Sequence, residues 1–384
     1  MPWEETCAMN ERKKFITAYQ TGEETMTVLC QRFLISRKTG YKWLSRFQQE
    51  GIGGLYNRSR AHFSHPATTD EETVALLLEL KQRYPYWGPN KIYDYITQEQ
   101  PEERWPSAST MGDILKKHGL VKPRKKRLRT PPYTKPFLRC VAPNSVWSID
   151  YKGEFSLGDH TRCYPLTITD NYSRFLFCCH GEHKISGLTT KKILTRLFKE
   201  FGLPEAIRSD NGTPFASIGI GGLSKLSIWW LKLGILPERI DVGHPEQNGR
   251  HERMHLTLKQ AVLQPPAKTL QAQQKKFNNF IQEYNFVRPH DGIGKKRPGQ
   301  IYQPSTRIFP TTSLAIEYPS ELKRVKVKPN GCIKFKGKEI YIGGLLAGEP
   351  LGMIEVAEDK WQVYFTKMSL GFIDMRMSSF VRAA

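Results

Sequence analysis

Acidic residues are scarce in this chain, and over one long stretch they are missing. Of 384 residues, 37 are Asp or Glu against 58 Lys or Arg, a formal net charge of +21. Residues 114–149 hold ten Lys and Arg and no acid. An imbalance of this sign points to a polyanionic partner, although charge alone leaves DNA, RNA and anionic lipid open. Cysteine is sparse too. Seven cysteines, an odd number with no CxxC pair among them, do not make a disulfide framework and speak against a cysteine-rich zinc site. The expectation is reduced, mostly buried thiols in a cytosolic protein. No apolar run approaches the roughly 20 residues that span a bilayer. Met1-Pro2-Trp3-Glu4-Glu5 lacks the basic and apolar regions of a signal peptide, so a membrane or secreted protein is disfavoured. What is present is core-forming material: 39% hydrophobic residues, with 8 Trp and 19 Phe. At roughly 100–200 residues per domain, the length suggests two to four domains.

Residues 8–50 read as three short helices. Met26, Leu29, Cys30 and Phe33 share one helical face, Leu34-Ile35-Ser36 breaks the pattern, and Ser36 is placed to cap the next helix. That helix turns Trp43, Leu44 and Phe47 inward and crowds Arg37, Lys38, Thr39 and Lys42 into its first turns. This is the layout of a helix-turn-helix whose second helix enters a groove, a spacing that other small helical bundles share. Helices are also expected over 71–82, with Val74, Leu77, Leu78 and Lys81 in register, and over 91–96 and 111–118, the last stopped by Gly119. They suggest a second helix-turn-helix with Ser109 and Thr110 near its reading end, or a purely structural bundle. The basic segment follows, with Arg124, Lys125, Lys126 and Arg127 at its centre and prolines that forbid a continuous helix. An extended basic chain of this kind can track phosphates.

From residue 145 strands take over. Segments 145–155, 161–169 and 175–179 precede a helix over 191–201, a short strand at 206–209, a helix over 223–233, a strand near 239–242 and a long helix from about 248. Three strands and then alternating helices and strands indicate an α/β domain with a mixed sheet. Beyond 307 only strand signals remain. Arg324, Lys326 and Lys328 alternate with Val325 and Val327, Asn330-Gly331 marks a turn, and Lys334, Lys336 and Lys338 alternate again. A small β-barrel or sandwich is expected, with the two lysine sets on a hairpin about that turn.

Two acids stand where an acid is costly. Asp150 lies mid-strand in Val146-Trp147-Ser148-Ile149-Asp150-Tyr151, where a half-buried carboxylate needs a partner. Asp210 closes the strand Ala206-Ile207-Arg208-Ser209 at the strand end where ligands gather in α/β sheets. A buried salt bridge and simple turn chemistry are the plain alternatives. A third carboxylate is needed if they hold divalent cations, and two are available. Between Asp210 and Glu246 lie 35 residues, and between Asp210 and Glu252 lie 41. Glu246 sits in a loop, whereas Glu252 stands in the first turns of a helix that can aim it at the sheet, and rigidity favours Glu252. Three convergent carboxylates without a His or Cys cluster suit Mg²⁺ or Mn²⁺, and a pair of such ions suits phosphodiester chemistry.

These residues resemble a known family. Trp147-Ser148-Ile149-Asp150, Ile168-Thr169-Asp170-Asn171-Tyr172-Ser173-Arg174, Ser209-Asp210-Asn211-Gly212 and His244-Pro245-Glu246-Gln247-Asn248-Gly249-Arg250-His251-Glu252-Arg253 look like the integrase-type core of bacterial insertion-sequence transposases and retroviral integrases. Tyr284-Asn285-Phe286-Val287-Arg288-Pro289-His290 resembles the tail of that core in the transposases. The resemblance implies an RNase H-like fold and places the family's metal-binding acids at Asp150, Asp210 and Glu252. The family's usual spacing of 35 would favour Glu246, but motif alignment selects Glu252, with 218–227 accommodating a short insertion. Of the basic residues that often follow the glutamate, Lys259 matches one and Leu256 replaces the other. Asp170 reads as structural.

The resulting expectation is a multidomain chain. It comprises an all-α helix-turn-helix part (1–58), a second helix-turn-helix-like part (68–121), a basic linker (122–142), an α/β RNase H-like core (143–305) and a small all-β barrel (320–384). Its implied function is that of a transposase that binds the double-stranded ends of its mobile element, cleaves their 3′ termini and joins them to target DNA with two Mg²⁺ or Mn²⁺ ions. It would work as a homodimer or larger assembly in the bacterial cytoplasm, associated with the nucleoid. A nuclease of the same fold that only hydrolyses, and a DNA-binding regulator with a degenerate core, are the alternatives.

Overall fold

Three helices build the amino-terminal unit: α1 (Ala8–Gln20), α2 (Met26–Arg32) and α3 (Arg37–Glu50). The Ser36 hydroxyl accepts a hydrogen bond from the Thr39 amide at 3.2 Å, so this serine caps α3 as its position foretold. Phe15, Ile16, Met26, Leu29, Cys30, Trp43, Leu44 and Leu55 form the core, with Phe33 and Phe47 packed at its edge. Gly40 is where α3 presses on α2. A Cβ there would stand 2.6 Å from the Cys30 sulfur. The computed structural model describes residues 7–58, 68–121, 140–217, 219–241, 245–312 and 315–382. The chain divides into two compact units, Met1–Thr69 and Asp70–Ala384. Among the described residues no helix is long and apolar enough to cross a membrane.

The second unit begins with α4 (Glu71–Arg83), α5 (Pro89–Glu99) and α6 (Ala108–Lys117). Leu77 and Leu80 are the buried residues of α4. Lys81, expected on the apolar face, instead donates to the carbonyls of Pro85 and Trp87, both at 2.7 Å. A lysine at the rim can bury its stem while its ammonium satisfies turn carbonyls. This helical layer is fastened to the α/β layer by its Tyr84–Trp87 turn. Trp87 is 1% exposed, and its indole donates to Glu283 at 3.0 Å beside the Tyr86 hydroxyl, which bonds the same carboxylate.

The mixed sheet contains β1 (Val146–Tyr151), β2 (Phe155–Ser156), β3 (Arg162–Asp170), β4 (Leu176–Glu182), β5 (Ala206–Ser209) and β6 (Leu236–Arg239). Its main path runs β4-β3-β1-β5-β6, with β2 also on β3. The β4-β3-β1 part is antiparallel, and β1-β5-β6 is parallel. The last strand falls earlier than expected, because Ile235 and Leu236 continue straight from the preceding helix into the β5 ladder. Helices α7 (Gly187–Phe201) and α8 (Lys225–Lys232) cover one face, and α9 (Gly249–Val262) and α10 (Leu270–Gln282) the other. Strand alternation divides the side chains accordingly. Trp147, Ile149, Leu166, Ile168 and Ile207 join the first core, while Ser148, Asp150, Thr167 and Thr169 face α9.

The α8 segment is apolar nearly all round because both sides are covered. Leu226, Trp230 and Leu233 pack on the sheet. Ile220, Leu223, Ile228 and Leu231 enter the core of the carboxy-terminal strands. Those strands are β7 (Lys323–Lys326), β8 (Cys332–Phe335), β9 (Lys338–Tyr341), β10 (Pro350–Ala357), β11 (Lys360–Phe365), β12 (Met368–Asp374) and β13 (Ser379–Arg382). Among the described residues they do not close into a barrel. They form an open antiparallel sheet in the order β13-β12-β11-β10-β7 and a separate hairpin, β8-β9. The expected lysine hairpin is also corrected. Chain reversal occurs at Asn330-Gly331, with Gly331 at φ +80°, but β7 pairs with β10 and β8 with β9. Val327 and Ile333 are buried in the shared core, which draws the two strands into different sheets.

Four cysteines, Cys30, Cys163, Cys178 and Cys179, are buried free thiols, and none of the seven is bridged. Burial pushes the thiols of Cys163 and Cys178 up to about 12.

Candidate active site

The sheet itself brings the two aspartates together. Ser148 of β1 lies opposite Arg208 of β5 in a parallel ladder. Asp150 and Asp210, each two residues further on, leave neighbouring strands at the same level. Asp210 follows the last residue of β5, and its carboxylate accepts from the Gly212 amide at 3.1 Å. A Cβ at Gly212 would stand 3.0 Å from the Asp210 carboxylate, a tight approach that the glycine avoids. Glu252 is an exposed acid in the first turn of α9.

Motif residues anchor that helix over the sheet. The Ser148 hydroxyl donates to the Asn248 side chain at 3.1 Å and accepts from the Asn171 amide group at 2.8 Å. Arg250 donates to the Asn171 carbonyl at 3.0 Å. The start of α9 is thus tied to the middle of β1, beside Asp150. Asp170 serves the frame, accepting from the amides of Asn144 and Ser173 at 2.8 and 2.7 Å and from the Ser173 hydroxyl at 2.6 Å. Asn285 replaces a missing strand at the sheet edge, bonding the Leu176 amide and carbonyl at 2.8 and 2.9 Å.

Helix α9 has two faces. Glu252, Leu256 and Lys259 are exposed, while His251, Met254, His255 and Leu258 are buried. The histidines were not among the residues singled out in the sequence. The sequence offers only a His pair at i and i+4; that Thr167 and Thr169 lie opposite is decided by the fold. Thr167 bonds His251 and His255 at 2.8 and 2.7 Å, and Thr169 bonds His251 at 2.8 Å. Asp150, His251 and His255 present atoms within 4.8 Å of one another.

Burial, and then the charges of Asp210 and Glu252, push the Asp150 carboxyl up to about 7. Burial takes His251 down to about 3 and lowers His255 still further, so both rings are neutral at physiological pH. Among the described residues no Lys or Arg forms an ion pair with Asp150, Asp210 or Glu252, and the repulsion of the other two acids on Asp150 outweighs the opposing charge of Lys152. Such a set of oxygen donors can hold a divalent cation, which would relieve the repulsion.

Of the other expected site residues, Arg37, Lys38 and Lys42 are exposed along α3, and Thr39 is half-buried with its hydroxyl 2.9 Å from that of Ser36. Lys42 also lies over the Trp43 ring, 4.9 Å from its centre. Ser109 and Thr110 are exposed in the first turn of α6, the Thr110 hydroxyl 3.1 Å from that of Ser107. Arg124, Lys125, Lys126 and Arg127 lie outside the described residues.

Known proteins resemble the chain along most of its length. The integrase core domain family matches residues 141–245, and a second integrase core domain family matches 233–298. A helix-turn-helix domain family matches 11–61 and a homeodomain-like domain family 39–115. An uncharacterized 39.2 kDa protein of insertion element IS476 from Xanthomonas euvesicatoria is 25% identical over 72% of this chain and 78% of its own length. An uncharacterized 31.7 kDa protein of insertion element IS407 from Burkholderia multivorans is 26% identical over 64% of this chain and 86% of its own. The magnesium-bound catalytic core domain of HTLV-2 integrase aligns with 43% of this chain and 100% of its own, at 18% identity and a TM-score of 0.34. The chain thus carries helix-turn-helix domains ahead of an integrase core and is homologous to proteins of two bacterial insertion elements, the build of an insertion-sequence transposase.

Proposed function

We propose that this protein binds the ends of its own mobile element, cleaves them at the 3′ termini and joins them to target DNA. The observation that supports this reading is that the charges of Asp210 and Glu252 act on the buried Asp150 carboxyl, with no Lys or Arg ion-paired to the three among the described residues, in a chain of net charge +21. Asp150 and Asp210 would hold a divalent metal from the sheet, and Glu252 would complete the set from α9; two bound Mg²⁺ or Mn²⁺ ions would supply activation of the attacking oxygen and stabilisation of the leaving oxygen of a phosphodiester. The attacker is water in cleavage and the freed 3′-hydroxyl in joining, so no covalent intermediate with the protein is required.

The other parts supply DNA contacts. Arg37, Lys38, Thr39 and Lys42 on α3 read the element ends from a groove, with Ser109 and Thr110 as a second, narrower contact. Arg124, Lys125, Lys126 and Arg127 hold backbone phosphates, and Lys259, two turns beyond Glu252 on the exposed face of α9, steadies the strand near the reacting bond. Joining two ends in one event calls for a dimer or larger assembly. The work is done on cytoplasmic DNA, and the part boundaries are those expected from the sequence: 1–58, 68–121, 122–142, 143–305 and 320–384.

A strand-transfer assay with end-containing duplex, target plasmid and Mg²⁺ or Mn²⁺ tests the reading. Joined product is expected. Nicked product alone, under every metal condition, would replace it with a nuclease that only hydrolyses. Retained DNA binding without any cleavage would replace it with a regulator.

A further inference from the structure

We infer that Arg174 and Arg250 form a phosphate site that grips the DNA backbone at the start of α9. The inference rests on the reading of the chain as a DNA-joining enzyme. It adds a contact apart from the three acids, the reading helices and Lys259.

Two guanidinium groups converge on one oxygen. Arg174 and Arg250 each donate through Nη1 to the Asn171 carbonyl, Arg250 at 3.0 Å. A carbonyl oxygen can accept both, but the arrangement sets two like charges side by side. Among the described residues neither arginine makes an ion pair, and each engages one of its five donors within the fold. The acids of the neighbouring segments are already taken. Asp170 accepts from the amides of Asn144 and Ser173 and from the Ser173 hydroxyl. Glu238 pairs with Arg208 at 2.6 Å and Asp291 with Lys91 at 2.7 Å. Burial, and then the charge of Arg250, pull the Arg174 guanidinium down to about 10, and the opposing charge of Asp170 is a smaller influence.

Each arginine also stands where it is disfavoured. Arg174 has φ +66°, a left-handed conformation that residues with a Cβ seldom adopt. Arg250 is the second residue of α9, where the helix dipole opposes a cation. The N-cap residue Asn248 accepts from Ser148 and caps no helix amide, so the positive end of α9 has no side-chain cap. Strain of this kind collects at functional sites. An anion between the two arginines would turn every one of these repulsions into attraction, and the guanidinium fork matches a phosphate.

The DNA backbone is the anion that the function supplies. Tyr172 is 40% exposed in the same turn, and Arg253, one turn beyond Arg250, is exposed as well. The phosphate gripped here is not the one that reacts. Arg250 and Glu252 are two positions apart, about 200° around the helix at 3.6 residues per turn. The Asn171 amide bonds the Val146 carbonyl, four residues before Asp150 and so about 13 Å from it along β1 at about 3.3 Å per residue.

The test is binding of the full-length protein to end-containing duplex over a range of salt, with Arg250→Glu, Arg250→Gln and Arg174→Gln. A second arm replaces single backbone phosphates, one at a time, with neutral methylphosphonates. Arg250→Glu is expected to melt no lower than wild type, since a glutamate suits the helix start and can pair with Arg174. Its affinity should nonetheless fall about tenfold or more, and its log–log salt slope should shrink by about one. In the wild type one methylphosphonate away from the cleaved bond should weaken binding, and the same change should cost Arg250→Gln nothing further. Plain target duplex should lose affinity alike, because a phosphate contact carries no sequence. Where Arg174→Gln unfolds, the exposed Arg250 variants and the methylphosphonate series decide. Lower melting with wild-type affinity and slope would make the pair a structural tie and overturn the site. Losses that add at every methylphosphonate position overturn it too, and a loss confined to element ends would make the pair a base reader instead. Absence of duplex binding by the wild type overturns the functional reading, and the site falls with it.

Discussion

Ser148 and Asn248 stand 100 positions apart in the chain and share a 3.1 Å hydrogen bond. Together with the Arg250–Asn171 bond, that contact ties the central strand to the residue that opens α9, and with it the helix that carries Glu252 to the strand that carries Asp150. Asn248→Ala should therefore cost about 1–2 kcal/mol of stability, the usual toll for leaving a buried partner unmet. It should reduce cleavage far more, because small displacements of reacting groups cost on the order of 10²-fold. Hydrogen exchange at the α9 start, measured alongside cleavage, would check it; unchanged exchange together with wild-type rates would remove the anchoring role.

The Asp150 carboxyl supplies a pH test. In the metal-free fold it sits at about 7 against an ordinary 3.8, so between those values the folded state holds a proton that the unfolded chain has released. The stability tied to that proton is complete below about pH 4 and declines as pH rises toward 7. Asp150→Asn, uncharged throughout, should match the wild type near pH 4 and melt a few degrees higher at pH 8 in EDTA. A melting difference that does not change between those pH values would show that the carboxyl is not strained as described.

For the third acid, Glu252→Gln should abolish cleavage and joining while leaving end binding intact. Glu246→Gln should keep activity within a few-fold of wild type, since its segment, Pro245–Asn248, precedes the helix. The reverse pattern would transfer the role to Glu246.

Trp87 is the buried aromatic at the joint between the helical layer α4–α6 and the α/β layer, which ion pairs such as Lys91–Asp291 also bridge. Trp87→Ala should cost about 3–5 kcal/mol as a buried aromatic deletion. Trp87→Phe, which keeps a ring but loses the 3.0 Å bond to Glu283, should cost about 1–2 kcal/mol. Urea unfolding separates the two; equal losses would mean that the bond to Glu283 alone makes the joint, and a negligible loss in Trp87→Phe that packing alone does.

Basic residues in two places should fail differently. Arg37→Ala with Lys42→Ala should erase preference for element ends, because α3 presents both at its exposed face. Replacing Arg124, Lys125, Lys126 and Arg127 with Ala should weaken binding to all sequences and flatten its salt dependence. If the second set instead changed preference at a constant salt slope, that segment would be reading bases.

Local signals were strong enough for most elements. Ser36 and Gly119 mark helix ends because capping and positive φ are short-range requirements, whereas the cap at Ser107 went unread and α6 starts at Ala108, earlier than the expected 111. The strand 206–209 was legible because it is short and closed by Asp-Asn-Gly. The lysine strands were misjudged for a different reason. A turn signal says that the chain reverses, not which partner each strand finds, and Val327 and Ile333 go where the larger core lies. Lys81 was placed on an apolar face because periodicity counts positions and ignores a long stem that can reach two turn carbonyls.

The sequence alone determined that two aspartates stand at costly strand positions and that a glutamate follows on a helix, since the burden on each acid is local. It also determined the polyanion-seeking charge. Only the tertiary structure decided what lies beneath Asp150. His251 and His255 read as ordinary helix residues until α9 lands on the polar side of β3, and Thr167 and Thr169 read as ordinary strand residues until the helix covers them. Hydrogen bonding in that layer depends on four side chains from two distant segments meeting out of reach of bulk water. No stretch of chain carries that information by itself.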